Sequence, residues 1–138
     1  VSLENVFQKH DRALKINNIY KLAIDMITVL EQFHNKGFIH RDIKPNNFLF
    51  NYTKPYNQLY LMDFGLSKQY IQNNKHIDLK TDRSLIGTAR YASLNIHWGI
   101  EPSRRDDLES VGYILIYLLK GKLPWQGLKA NNKKDKYD

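Results

Sequence analysis

The segment FIHRDIKPNNFLF, Phe38 to Phe50, limits the fold more than any other stretch. Its ends are apolar and call for burial. Its middle sets His40, Arg41, Asp42, Lys44, Asn46 and Asn47 within residues 40–47. An unpaired ion inside a protein costs several kcal/mol. Setting that many charges between flanks that want burial needs something that makes the arrangement worth its cost.

With 138 residues the chain suits one compact unit. Hydrophobic residues at 42% and charged residues at 25% predict a globular domain with a real core. Cysteine is absent, which excludes disulfides and cysteine-zinc sites and is compatible with an intracellular, cytoplasmic or nuclear, location. The five histidines include no H-E-x-x-H or other metal-ligand spacing. A net charge of +7 suggests acidic or phosphorylated partners, or nucleic acid. The start, VSLENVFQKHD, has no signal-peptide pattern. Val111–Leu119 is the longest apolar run, far short of the ~20 residues that span a bilayer. The first residue is Val rather than Met, so the chain is expected to be a piece of something longer.

Periodicity places the elements. Ser2 can cap a short helix containing Leu3, Val6 and Phe7. After a polar joint, Asn17 or Asn18 is expected to start a helix over 17–36. Its apolar face would be Ile19, Leu22, Ala23, Met26, Leu30 and Phe33, with Gly37 as the stop. Residues 48–50 and 59–62 flank the polar turn NYTKPYNQ and read as a hairpin. From Leu66 to Ile86 no period is visible, and such stretches are usually functional or disordered. Ser103 opens a second helix, 103–120, with Asp106 and Asp107 in its favourable first turn. That helix is apolar nearly all round from Val111 to Leu119, which predicts a buried central element packed on the first. Gly121 and Pro124 end it, and a basic, polar tail follows. No internal repeat is present.

Two motifs connect this layout to chemistry. Residues 40–47, H-R-D-I-K-P-N-N, fit the catalytic-loop pattern H-R-D-L-x-x-x-N of protein kinases, with Ile43 for Leu. Asp63-Phe64-Gly65 fits D-F-G, directly after the hairpin. Three further blocks, GTARYASLN (87–95), EPSRRDDLESVGY (101–113) and LPWQGLKA (123–130), closely resemble the casein kinase I family. Most kinases carry A-P-E after the activation segment. Ser93-Leu94-Asn95 stands there instead, resembling the S-I-N variant of casein kinase I. The resemblance covers essentially the whole chain.

It implies an α+β protein-kinase-like fold: a mainly helical C-terminal lobe with a short β-hairpin, incomplete at both ends. Residues 1–138 would form one partial kinase domain, with catalytic loop 40–47, D-F-G 63–65, activation segment 63–95 and central helix 103–120. The activity implied is ATP-dependent phosphorylation of serine or threonine on acidic or already phosphorylated proteins, with ATP and Mg²⁺ as cofactors. Asp42 matches the catalytic base that orients the hydroxyl and accepts its proton. Lys44 would reach the γ-phosphate and marks a Ser/Thr enzyme. Asn47 and Asp63 match the metal ligands, oxygen donors for a hard cation. Thr88 matches the residue that ties the substrate loop to Asp42 and Lys44. Asp107 matches the acid that holds the catalytic-loop backbone. His40 is implied to be structural. Arg90, Gly127 and Lys136 match the family's substrate anion site, for which an Arg fork is well suited. Lys133 and Lys134 lie in the same basic segment. The +7 then reads as attraction to acidic substrates, since Lys and Arg are scattered rather than arrayed for nucleic acid. A monomer is expected, without a membrane span.

Departures from the pattern matter too. Asn46 replaces the family's usual Asp, and DLKTDR, 78–83, differs from the family's sequence. No two of the seven glycines lie two apart, so no G-x-G-x-x-G occurs, and no V-A-I-K strand precedes the catalytic loop. Those parts cover ATP in kinases. Residues 1–138 alone are therefore expected to have negligible ATP affinity and turnover, and the activation segment is expected to be mobile. The alternatives are a catalytically dead kinase remnant, acting as a binding module or without function, and a basic nucleic-acid module. A glycine-rich loop and a strand Lys in upstream sequence would favour the enzyme.

Overall fold

Helix α2, Ile16–His34, turns one apolar stripe inward: Ile19, Leu22, Met26 and Leu30 are buried. It lies on helix α4, Arg104–Lys120, whose Val111, Ile114, Tyr117 and Leu118 face the same core. Full burial stabilises side chains of this size by about 1.5–3 kcal/mol each. A short helix α1, Leu3–Lys9, closes one end of that core with Leu3 and Phe7. The Phe7 and Tyr117 rings meet at 5.1 Å between centroids. These relations come from a computed structural model, which describes residues 1–51 and 58–128.

Ser2 caps α1 as predicted, accepting from Asn5 N at 3.2 Å. At α2 the expectation is corrected. The cap is Lys15, before both asparagines, and its backbone carbonyl receives Asn18 N and Ile19 N. The helix ends at His34, and Gly37 follows at φ 85°, where glycine is at ease. At α4, Asp106 reaches back to take the Ser103 N–H at 2.7 Å, one arm of a capping box.

Strand β1, Phe38–Ile39, leads from α2 into the charged loop. Strands β2, Phe48–Phe50, and β3, Leu59–Leu61, form the predicted antiparallel hairpin, with Phe48 opposite Leu61. Residues 52–57 of its turn lie outside the described residues. Val1 adds to the outer edge of β2, exchanging backbone hydrogen bonds with Phe50 at 2.9 and 2.8 Å. On the far side of the hairpin, Met62 N donates to Asn47 O at 2.9 Å and keeps the two segments in step.

Two expectations need correction. The patternless stretch after Leu66 holds three short strands: β4, Lys68–Gln69, β5, Ile71–Gln72, and β6, Lys75–His76. β4 pairs with β1, and β5 with β6. Two residues per strand are too few for an alternation to show. Helix α4 is central but not buried all round: Leu108, Ile116 and Leu119 are exposed on its second face. A helix apolar on every side has two faces to cover, and the described residues pack against one. A short helix α3, Leu94–His97, sits before α4. Among the described residues, no helix is long and apolar enough to cross a membrane.

Candidate active site

The first turn of α4 holds up the 40–47 loop. Asp107, 2% exposed, accepts His40 N at 2.8 Å on Oδ2 and Arg41 N at 2.9 Å on Oδ1. His34 Nε2, from the end of α2, lies 2.7 Å from the same Oδ2. Bonds to a buried carboxylate are among the stronger ones, about 1.5–3 kcal/mol each. They compensate Arg41, whose φ of 70° is unfavourable for a side chain with a Cβ. Asp63 shows the same sign, φ 63°. Both residues flank the site, where such strain tends to gather.

His40 is fully buried and connects two segments. Asp42 N donates to its Nδ1 at 3.2 Å, and its Nε2 lies 2.9 Å from Met62 O. This pairing places the ring proton on Nε2. The neighbouring Phe64 ring stacks on Phe33 of α2 at 5.1 Å and meets His40 edge-on at 5.8 Å. D-F-G is thereby seated on the core helix.

Around Asp42 a local partner and a distant one meet. Lys44 Nζ donates to Oδ2 at 2.6 Å. Thr88 N and Thr88 Oγ1 donate to Oδ1 at 2.8 and 2.7 Å. Lys44 Nζ also reaches Thr88 Oγ1 at 3.3 Å. Gly87 makes this approach possible: a Cβ there would come within 2.3 Å of Arg41 O, and its φ is 80°. Burial alone would push the Asp42 carboxyl up, but the Lys44 and Thr88 donors outweigh it and hold it below the usual carboxylate range. Two lone pairs per oxygen leave Oδ1 full and one position open on Oδ2. That position can take a hydroxyl proton donor.

Asn47 Nδ2 is committed to Asp42 O at 2.9 Å, so the amide oxygen is its available ligand atom. Asp63 is exposed, and Gly65 N approaches its Oδ1 at 3.4 Å. One amide oxygen and one carboxylate suit a hard divalent cation that keeps waters and substrate oxygens for its other positions. Among the described residues, no group of three or more His, Cys, Asp or Glu forms a closed metal cage.

The 93–95 segment has a local reason. Ser93 Oγ donates to the buried Asp106 at 2.5 Å and accepts from Ile96 N at 3.2 Å, joining the starts of α3 and α4. A cleft of about 1010 Å³ opens beyond Lys44 and Thr88, with Arg90, Trp98, Trp125 and Gly127 on its walls. Trp125 Nε1 donates to Arg90 O at 2.8 Å, and Arg90 and Gly127, two of the three predicted anion-site positions, both line the cleft. Lys136, the third, lies outside the described residues, as do Lys133 and Lys134.

Asp42, Lys44 and Thr88 are thus in direct contact, Asn47 touches the same loop, and Asp107 supports it from behind. His34 and Gly87 were not singled out by sequence reasoning. A lone His six residues before His40 gives no signal; Gly87 could have been flagged only as a glycine beside Thr88.

A family model described as protein kinase domain matches residues 1–138. With a carboxylate held below its usual range by Lys44 and Thr88 donors, the match has a physical counterpart at the site: the chain belongs to the protein kinase family.

Proposed function

We propose that this chain is the catalytic part of a casein kinase I-like serine/threonine kinase, the C-terminal lobe of its domain. It would act on hydroxyls of acidic or already phosphorylated proteins. The observation that carries this reading is the Asp42 carboxylate, fixed by Lys44 and Thr88 with one lone pair of Oδ2 open.

ATP with Mg²⁺, when bound, supplies the phosphoryl group and the positive charge that offsets it. Asn47 and Asp63 are the residues that would hold the metal. Asp42 accepts the hydrogen of the substrate hydroxyl and aims its oxygen. Its depressed pKa makes it a weak base, so orientation comes first and the proton follows late, as a loose phosphoryl-transfer path allows. Lys44, paired with Asp42, would reach the γ-phosphate and offset charge on its oxygens. Arg90 and Gly127, with Lys136, would receive an acidic or phosphorylated side chain, in keeping with the +7 charge.

No glycine-rich phosphate-covering motif occurs within residues 1–138, so turnover is assigned to a full kinase domain that includes them. The test is phosphate transfer to casein and to a phosphopeptide by such a domain. Asp42→Asn should lower kcat by about 10²–10⁴, the range for a positioned acid–base group. Full activity in that variant would sink the reading. Arg90→Ala should raise KM for the phosphopeptide more than for an unphosphorylated neutral peptide.

A further inference from the structure

The proposed phosphoryl transfer leaves one acid of the cleft without a task. Glu4, on α1, lines that cleft together with Gln8, Lys44, Asn46 and Arg90. Among the described residues that line it, Glu4 is the only carboxylate. Its Oε1 is filled twice: Tyr117 Oη donates at 3.0 Å and Gln8 Nε2 at 2.7 Å. Tyr117 is 1% exposed, so this hold comes from the packed core. Glu4 Oε2 has no hydrogen-bond partner among the described residues, and none of their cations stands within ion-pair distance of it. A half-buried carboxylate is thus fixed in place with one oxygen unanswered.

Tyr91 lies between this acid and the cation of the same cleft. Arg90 Cζ is 6.0 Å from the Tyr91 ring centroid, and that ring meets Tyr117 edge-on at 5.9 Å. Burial pushes the Tyr91 hydroxyl up, and on top of that Arg90 pulls it down while Glu4 raises it. The Tyr117 hydroxyl is pushed up to about 12, by burial first and then by Glu4. Arg90 and Glu4 therefore act on one hydroxyl, border one cleft and do not pair with each other.

We propose that Glu4 forms a second subsite of this cleft, with Gln8 and Asn46, which takes a basic side chain of the protein substrate. An ammonium or guanidinium brings the donors that Oε2 lacks, and charge-assisted bonds of this kind are stronger than neutral ones. Helix α1 packs against the 45–47 turn, so the exposed Asn46 adds an amide oxygen nearby and no competing charge. A substrate is then read at two points of opposite sign: an acidic or phosphorylated group toward Arg90 and a basic one toward Glu4. A peptide with the two exchanged meets like charges at both ends and is rejected. This deepens the proposed function and rests on it for the cleft being the place of the substrate.

The test reads binding rather than transfer, so the two readings can fail separately. Fluorescence anisotropy would follow labelled peptides on the 138-residue chain at low salt. Each peptide carries one phosphoserine, one acceptor serine and a single lysine moved through the other positions. Matched peptides carry norleucine, which keeps the aliphatic stem and removes the charge. At one or two positions lysine should tighten binding about two- to fivefold, the range of a partly exposed ion pair. Glu4→Gln, whose amide oxygen can still accept from Tyr117, should abolish that preference. Arg90→Ala should weaken both peptides and keep it. No lysine preference at any position would overturn the proposal, and so would a preference that survives Glu4→Gln. If Glu4→Gln does not fold, the Glu4 Cδ resonance of the unaltered chain decides. It should move with the lysine peptide and stay with the norleucine one; equal movement would sink the subsite. Absence of phosphate transfer by a full kinase domain, with the lysine preference intact, would count against the kinase reading alone.

Discussion

Two buried carboxylates organise this molecule, and they work in different ways. Asp107 receives backbone N–H groups from residues adjacent in sequence, His40 and Arg41, with His34 behind them. Glu101 receives the ends of long side chains drawn from distant segments, Lys68 and Arg83. The first fixes the backbone itself and leaves it no slack. The second fixes a segment through flexible arms that remain about a third to nearly half exposed, 34% for Lys68 and 44% for Arg83. The same chemical group yields a rigid mount in one region and an adjustable tie in the other. The rigid mount carries the loop of Asp42; the adjustable tie touches the segment that reaches Asp42 through Thr88.

The largest effect should come from breaking the rigid mount. Asp107→Ala leaves two amides and a histidine without their acceptor, and should cost about 3–5 kcal/mol in urea unfolding. A loss under 1 kcal/mol would mean that the loop does not depend on α4. The crossing between the two regions comes next. Gly87→Ala places a methyl against Arg41 O and forces φ 80° on a residue with a Cβ. It should cost about 1–3 kcal/mol and weaken the Thr88–Asp42 contact, read as faster exchange of the Thr88 amide.

Acid separates the two carboxylates further. The Glu101 pKa lies below its ordinary value of 4.5, so its contribution is complete above that value. It disappears as pH falls through the folded-state pKa. Protection at Arg83 should be flat from neutral pH down to about 5 and drop below 4.5, and Glu101→Gln should remove that step. The charged groups acting on Glu101 are the cations of Lys68, Arg83 and Arg41. The smallest effect is that of salt. Raising ionic strength shortens screening to about 3 Å at 1 M, which should loosen Arg83 and leave His40 and Arg41 as they were.

What the sequence made legible follows the same division. Asp42, Lys44, Asn47 and Asp63 lie in short motifs that fit the protein-kinase pattern, and that resemblance is what pointed to them. Asp107 was readable because it sits in a helix's first turn, inside a block that resembles a known family. Glu101 was not. It is an acid between Ile100 and Pro102, and its cations stand 18, 33 and 60 residues away, at Arg83, Lys68 and Arg41. Side-chain ion pairs between distant segments leave no periodicity behind. The start of α2 was missed as well: Asn17 and Asn18 are good caps, yet the helix begins at Ile16 with Lys15 as its cap. The exposed side of α4 was missed because hydropathy reports what a face prefers, not what is there to meet it.

One ring described above has a mechanical consequence. His40 stands between the amide of Asp42 and the carbonyl of Met62, the residue before Asp63. An imidazole is flat and does not stretch, so it acts as a gauge block between the two acids. A shift of the backbone at Asp42 is passed through the ring to the backbone just before Asp63. An open-chain side chain at position 40 could fill the volume but not keep the measure.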